Sequence, residues 1–163
     1  MGHSIILACG NPLRADDGVA LHIAHCLRAG LCDPETEIQC AQQWTPELAE
    51  TISRAELVIF VDASATVPPG EIQLKPVSSA KDGLGVTTHS LSPAQLLALA
   101  RELYQRAPER AFLLTIGGES FEHGKQFSHP VRRAIPTALT QVKALLSGVT
   151  LPKTEALLRA LNY

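Results

Sequence analysis

The chain has 163 residues, of which 45% are apolar, 18% charged and only 4% aromatic, and its formal net charge is −2. That length suits one domain whose core needs no disulfide or metal staple. The charge balance leaves no electrostatic case for nucleic acid or an anionic membrane, and so few rings exclude a base-stacking platform.

The opening "MGHSIILACG" has no basic region and too short an apolar run for a signal peptide, and no stretch approaches the roughly 18 apolar residues of a membrane span. A cytoplasmic protein is therefore expected. Its cysteines, Cys9, Cys26, Cys32 and Cys40, form no CxxC pair, so they are read as reduced, small packing residues rather than a zinc knuckle. "SIILACG" (4–10) predicts a buried strand ended by glycine. A helix over 17–30 follows, with Val19, Ile23, Cys26 and Leu27 at helical spacing and Gly30 as its stop. "TEIQCAQ" (36–42) reads as a weaker strand, and "TPELAETIS" (45–53) as a helix with Thr45 as cap and Pro46 at its first position.

"ELVIFVDAS" (56–64) is the clearest central strand, a β-branched run expected to stop at Asp62. "PPGEIQLKPV" (68–77) reads as a turn and an edge strand, because proline suits an edge. A polar loop over 78–90 precedes a helix over 91–107 with Ser92 as cap and Pro93 in its first turn. Residues 110–118 predict another buried strand. A long helix over 129–148 is expected to be interrupted by Pro136, and the tail 151–163 to form a short helix. Strand and helix alternate as in βα units, which predicts an α/β fold with a mostly parallel sheet covered by helices on both faces.

Ligands in such sheets sit outside the carboxyl ends of the strands, where the strand order reverses. The first strand delivers Asn11, Asp16 and Asp17 to that edge, the third delivers Asp62, and the loop "VTTHSLSP" delivers Thr87, Thr88 and His89. With the first and third strands adjacent, two carboxylates and one imidazole converge, a donor set suited to zinc, nickel, cobalt or manganese. Each residue also has a plainer reading. An acidic pair favours a helix start, an aspartate can form an Asx-turn, and a loop histidine is commonly just exposed. His22 and His25, three apart on the first helix, could chelate a metal but read rather as an exposed face; His3 is at the terminus, and His123 and His129 read as exposed or partner-contacting loop residues. Neither a dinucleotide-binding glycine pattern nor a Walker lysine loop is present, and Ser64, Ser90 and Ser120 lack a nucleophile elbow.

In order along residues 4–147, "GNPLRADDG" (10–18), "VDA" (61–63), "TTHSLSP" (87–93) and "IGGESFEHGKQFS" (116–128) resemble the motifs of the maturation endopeptidases of nickel–iron hydrogenases. The resemblance implies a single three-layer α/β/α sandwich domain spanning 1–163, with a mostly parallel twisted sheet and one antiparallel edge strand. It implies an aspartyl-type peptidase that acts on a hydrogenase large-subunit precursor already carrying nickel, and removes its C-terminal extension. Asp17, Asp62 and His89 are then the metal ligands and catalytic residues, with Asn11 and Asp16 behind them to orient ligands or substrate backbone. Nickel arrives with the precursor, zinc or cadmium can take the same place, and the protein is expected to be a monomer. The chain departs from many relatives at "AQQWTPELAE" (41–50), where they carry a glycine-rich stretch, and at Glu119-Ser120, where they carry a Gln-Pro or similar pair.

Two rival readings use the same residues. A self-contained zinc hydrolase of small molecules needs three ligands, but no H-E-x-x-H-type base is present. A phosphoacceptor receiver module also gathers acidic residues around a magnesium ion. It needs a lysine after the last core strand, where this chain has Gly117 and Gly118.

Overall fold

The computed structural model describes residues 2–31, 33–79 and 91–149. The expectations for Cys32, for Thr87, Thr88 and His89, and for a helix over 151–163 lie outside the described residues.

The elements in chain order are β1 (Ser4–Cys9), a 3-10 turn (Ala15–Gly18), α1 (Val19–Gly30), β2 (Thr36–Ala41), α2 (Leu48–Ser53), β3 (Leu57–Ser64), β4 (Ile72–Pro76), α3 (Pro93–Tyr104), β5 (Arg110–Gly117) and α4 (His129–Leu146). They build one five-stranded sheet in the order β2-β1-β3-β5-β4, in which only β4 runs antiparallel to its neighbour. The expected α/β/α sandwich with one antiparallel edge strand is what forms.

Successive side chains of a strand point to opposite faces, and the runs in β1 and β3 are apolar on both. Ile6, Ala8, Ile59, Val61, Leu114 and Ile116 pack under α1 and α4 through Val19, Ile23, Leu27, Val131, Val142 and Leu145. On the other face Ile5, Leu7, Cys9, Val58 and Phe60 pack under α2 and α3 through Ile52, Leu96 and Ala100. β1 pairs with β2 on one side and β3 on the other, both in parallel. The chain passes from β1 through α1 to β2 on one side and then back through α2 to β3 on the other, so the strand order reverses at β1 and a crevice opens between the carboxyl ends of β1 and β3.

Four local expectations are corrected. β3 does not stop at Asp62, because pairing with β5 continues through Asp62↔Thr115 to Ser64↔Gly117. The first helix is split, since Asp16 and Asp17 lie in the 3-10 turn and α1 starts only at Val19. Thr45 caps no helix: Leu48 N–H donates to Thr45 O and Ala49 N–H to Pro46 O, so tight turns lead into α2 at Leu48. The chain there follows Trp44, which is buried against Phe60. Pro136 does not interrupt α4, which runs unbroken from His129 to Leu146. Its exposed ring sits opposite the buried stripe of Val131, Ala134, Ala138, Val142 and Leu145, so packing on the far face holds the helix through the missing hydrogen bond. Ser92, by contrast, makes a full capping box with Gln95 at the start of α3.

Candidate functional site

A cavity of about 300 Å³ opens at the crevice, lined by Cys9, Gly10, Asp17, Gln42, Gln43, Trp44, Asp62 and Ala63. Strand geometry explains its floor. Ala8 pairs with Val61, so Cys9 and Asp62 follow side by side, and alternation puts both on the face that Phe60 shares. Trp44 closes one wall, its ring edge-on to Phe60 with centroids 5.4 Å apart. Asp62 Oδ1 accepts a hydrogen bond from Ala63 N–H at 2.8 Å. Burial pushes the Asp62 carboxyl up to about 6; the Ala63 N–H opposes that shift and the nearby Asp17 charge adds to it. Burial, with Asp62 and Asp17 beyond it, likewise pushes the Cys9 thiol up to about 12.

Asp17 reaches the cavity because the loop after β1 folds back on itself. Asn11 N–H donates to Asp17 Oδ2 at 3.0 Å, and Asn11 Oδ1 accepts from Leu13 N–H at 2.9 Å. Asn11 thus holds Asp17 with its backbone and shapes the turn with its side chain. Gly10 permits the return: a Cβ there would lie 1.9 Å from the Asp17 carbonyl oxygen. No side chain fits in that space.

Asp16 has different neighbours. It is fully buried, and its carboxylate accepts from Glu119 N–H at 2.8 Å, Ser120 N–H at 3.0 Å and Ser128 N–H at 2.7 Å. Burial works to raise its pKa, but the backbone N–H groups of Ser120, Ser128 and Glu119 outweigh it and hold the carboxyl below the usual range. Backbone bonds extend this clamp: Asp16 N–H donates to Ser120 O, Ala15 N–H to Gly124 O, and Gly124 N–H to Leu13 O. The loop that presents Asp17 is therefore sewn to the loop after β5.

The described residues thus bring together Asp17 and Asp62, with Asn11 behind Asp17. Asp16 supports the same loop from the far side. Leu91, two residues beyond His89 in sequence, donates its N–H to Trp44 O on the cavity wall. Among the described residues no group of three or more His, Cys, Asp and Glu is placed to hold a metal ion. His3 lies 3.4 Å from Glu37 before β1, away from the crevice. His22 stacks edge-on against Phe127 and lies 3.6 Å from Cys26 Sγ, while His25, His123 and His129 are exposed. Reading the sequence missed Cys9, Gln42, Gln43 and Trp44 as cavity residues. The ends of β1 and β2 at one sheet edge are the signal that could have found them.

No protein-family model matches the sequence, and no curated protein does either. Solved structures do match. The hydrogenase maturating endopeptidase HybD from E. coli is 23% identical with a TM-score of 0.73, covering 90% of this chain and 93% of its own. The [NiFe] hydrogenase maturation protease HycI from Thermococcus kodakarensis KOD1 is 18% identical with a TM-score of 0.67, covering 89% and 92%. A hydrogenase 2 maturation peptidase from Thaumarchaeota archaeon SCGC_AB-539-E09 is 19% identical with a TM-score of 0.65, covering 91% and 99%. The chain shares their fold over nearly its whole length. No helix among the described residues is long and apolar enough to cross a membrane.

Proposed function

We propose that the protein is a hydrogenase maturation peptidase, which removes the C-terminal extension of a nickel–iron hydrogenase large-subunit precursor once nickel is seated in it. The observation that carries this reading is the meeting of Asp17 and Asp62 in one cavity at the strand-order reversal. The fold around them is shared with endopeptidases named for that process. A precursor chain must enter an open crevice, and a cavity of about 300 Å³ at the sheet edge, walled by carboxamides and an indole, suits an extended segment.

The donor set fits a borderline divalent ion. Two carboxylates sharing a partly buried crevice repel, which a cation would relieve, and a loop imidazole such as His89 would complete a mixed oxygen–nitrogen set. Asp17, Asp62 and His89 would hold the precursor's nickel, and the same donors would accept zinc or cadmium. Three protein ligands leave positions open for the precursor's own groups. Nickel held there would supply Lewis-acid polarisation of the scissile carbonyl. This chain's residues do the rest. Asn11 N–H fixes the Asp17 carboxylate, Ala63 N–H fixes that of Asp62, and the Asp16 clamp keeps the Asp17 loop from drifting. Without the ion the two carboxylates stay mutually repulsive, which supports cleavage only of loaded precursor. The reaction is assigned to the cytoplasm.

The test is to incubate the protein with purified nickel-loaded precursor and weigh the products. Loss of a C-terminal fragment with wild type, and an intact precursor with Asp17→Ala and Asp62→Asn, supports the reading. Full processing by both variants overturns it.

A further inference from the structure

The loop from β1 to α1 is bonded at its exposed tip as well as at its acidic pair. Leu13 is 46% exposed, yet its N–H donates to Asn11 Oδ1 at 2.9 Å and its carbonyl accepts from Gly124 N–H at 2.8 Å. Arg14 is exposed as well. Its Nε donates to Phe121 O at 3.0 Å, and its carbonyl accepts from Asp17 N–H at 3.0 Å. The bond to Phe121 uses Nε, and the guanidinium has no carboxylate partner among the described residues. Glu119 and Glu122 are exposed on the facing loop, and neither pairs with it. Ala15 follows at φ +45°, a conformation that residues with a side chain rarely adopt.

Strain, a cross-loop bridge and a tethered guanidinium together fix an exposed apolar side chain and an exposed cation that has no carboxylate partner among the described residues, on the turn that leads directly to Asp17. A mobile surface loop would need none of this. Groups held rigid before contact lose little entropy on binding, and a tethered guanidinium is well suited to a carboxylate.

We propose that Leu13 and Arg14 form a preformed docking tip for the polypeptide that the protein cleaves. Leu13 seats against an apolar side chain of that polypeptide, and Arg14 pairs with one of its carboxylates beside the crevice. This rests on the peptidase reading above and adds to it the chemistry of the partner: an apolar and an acidic group close to the segment that enters the cavity. The tip acts on recognition, because neither residue touches the cavity that holds Asp17 and Asp62.

The experiment follows processing of nickel-loaded precursor by wild type, Leu13→Ala, Arg14→Glu and Arg14→Lys. It also measures precursor affinity for each in an Asp62→Asn background. The expected result is a KM raised about tenfold for Leu13→Ala and Arg14→Glu with kcat within about twofold, and affinity reduced by the same factor. Arg14→Lys, which keeps the charge, loses less, and added salt narrows the gap between Arg14→Glu and wild type. Unchanged thermal midpoints assign the loss to binding. Wild-type processing with KM and affinity of Arg14→Glu and Leu13→Ala within about twofold of it overturns the docking tip alone. A wild-type protein that leaves loaded precursor uncut overturns the peptidase reading and the tip with it.

Discussion

Asp16 and Asp17 are neighbours in the chain with opposite surroundings: three backbone N–H groups of the loop after β5 enclose the Asp16 carboxylate, while Asp17 Oδ2 takes one N–H from Asn11 and lines the crevice. One carboxylate therefore ties the loops together and the other faces the cavity. The division gives different expectations for their removal.

Asp16→Asn should destabilise the fold by about 3 kcal/mol near neutral pH, since buried N–H groups lose a charged acceptor. The sign with pH follows from its depressed folded-state pKa. The stabilisation is present above the unfolded carboxyl value of about 4 and is lost as pH falls through the lower folded value. Denaturant unfolding of wild type and variant should therefore converge in strong acid. A gap that persists unchanged there would remove the clamp as its source.

Asp17→Ala should leave the unfolding midpoint close to wild type, because among the described residues the side chain makes a single hydrogen bond. Processing should fall about a hundredfold or more, as for loss of a group aimed at the reacting centre. Mass spectrometry of the precursor with a parallel melting curve separates the two effects.

Asp62 should trade stability for function. Its folded-state pKa is raised to about 6 by burial, opposed by the Ala63 N–H and assisted by Asp17. Its protonated form is thus the one the fold favours. Relative to its acid limit, the protein loses stability as pH rises from the unfolded value of about 4 through about 6. Asp62→Asn should raise stability at pH 8 by about 2 kcal/mol, change little at pH 4, and abolish processing. Denaturation at both pH values checks it.

How far the sequence foretold these roles varies with the range of the interactions. Strands β1, β3 and β5 and the Ser92 cap of α3 are legible because their signals are local: apolar and β-branched runs and a Ser-Pro start. The meeting of Asp17 and Asp62 followed from strand adjacency alone. The motif marks Asp16 as support for the ligands, but its partners lie 103 to 112 residues away, and no local pattern announces them. Pro136 and Thr45 misled for the complementary reason. The buried stripe of α4 overrides the helix-breaking signal of Pro136, and tight turns at Thr45 and Pro46 take the place of a Thr45 cap.

Pro136→Ala should stabilise the protein by about 1–2 kcal/mol, because it restores a backbone donor in α4 on an exposed face without removing core contact. A lower melting temperature for this variant would show that the ring contributes more than its hydrogen bond costs.

Gly10→Ala should be far more damaging than a methyl group suggests. The new Cβ would meet the Asp17 carbonyl oxygen at 1.9 Å, so the loop must shift and carry Asp17 with it. A destabilisation of about 2–4 kcal/mol is expected, together with loss of processing. Circular dichroism melts and the processing assay report both.

The most direct measurement of the central claim is to mix the protein with nickel-loaded and with nickel-free large-subunit precursor and weigh the products of each. Removal of the C-terminal extension from the loaded form only is the predicted result. Equal cleavage of both forms, or of neither, would contradict it.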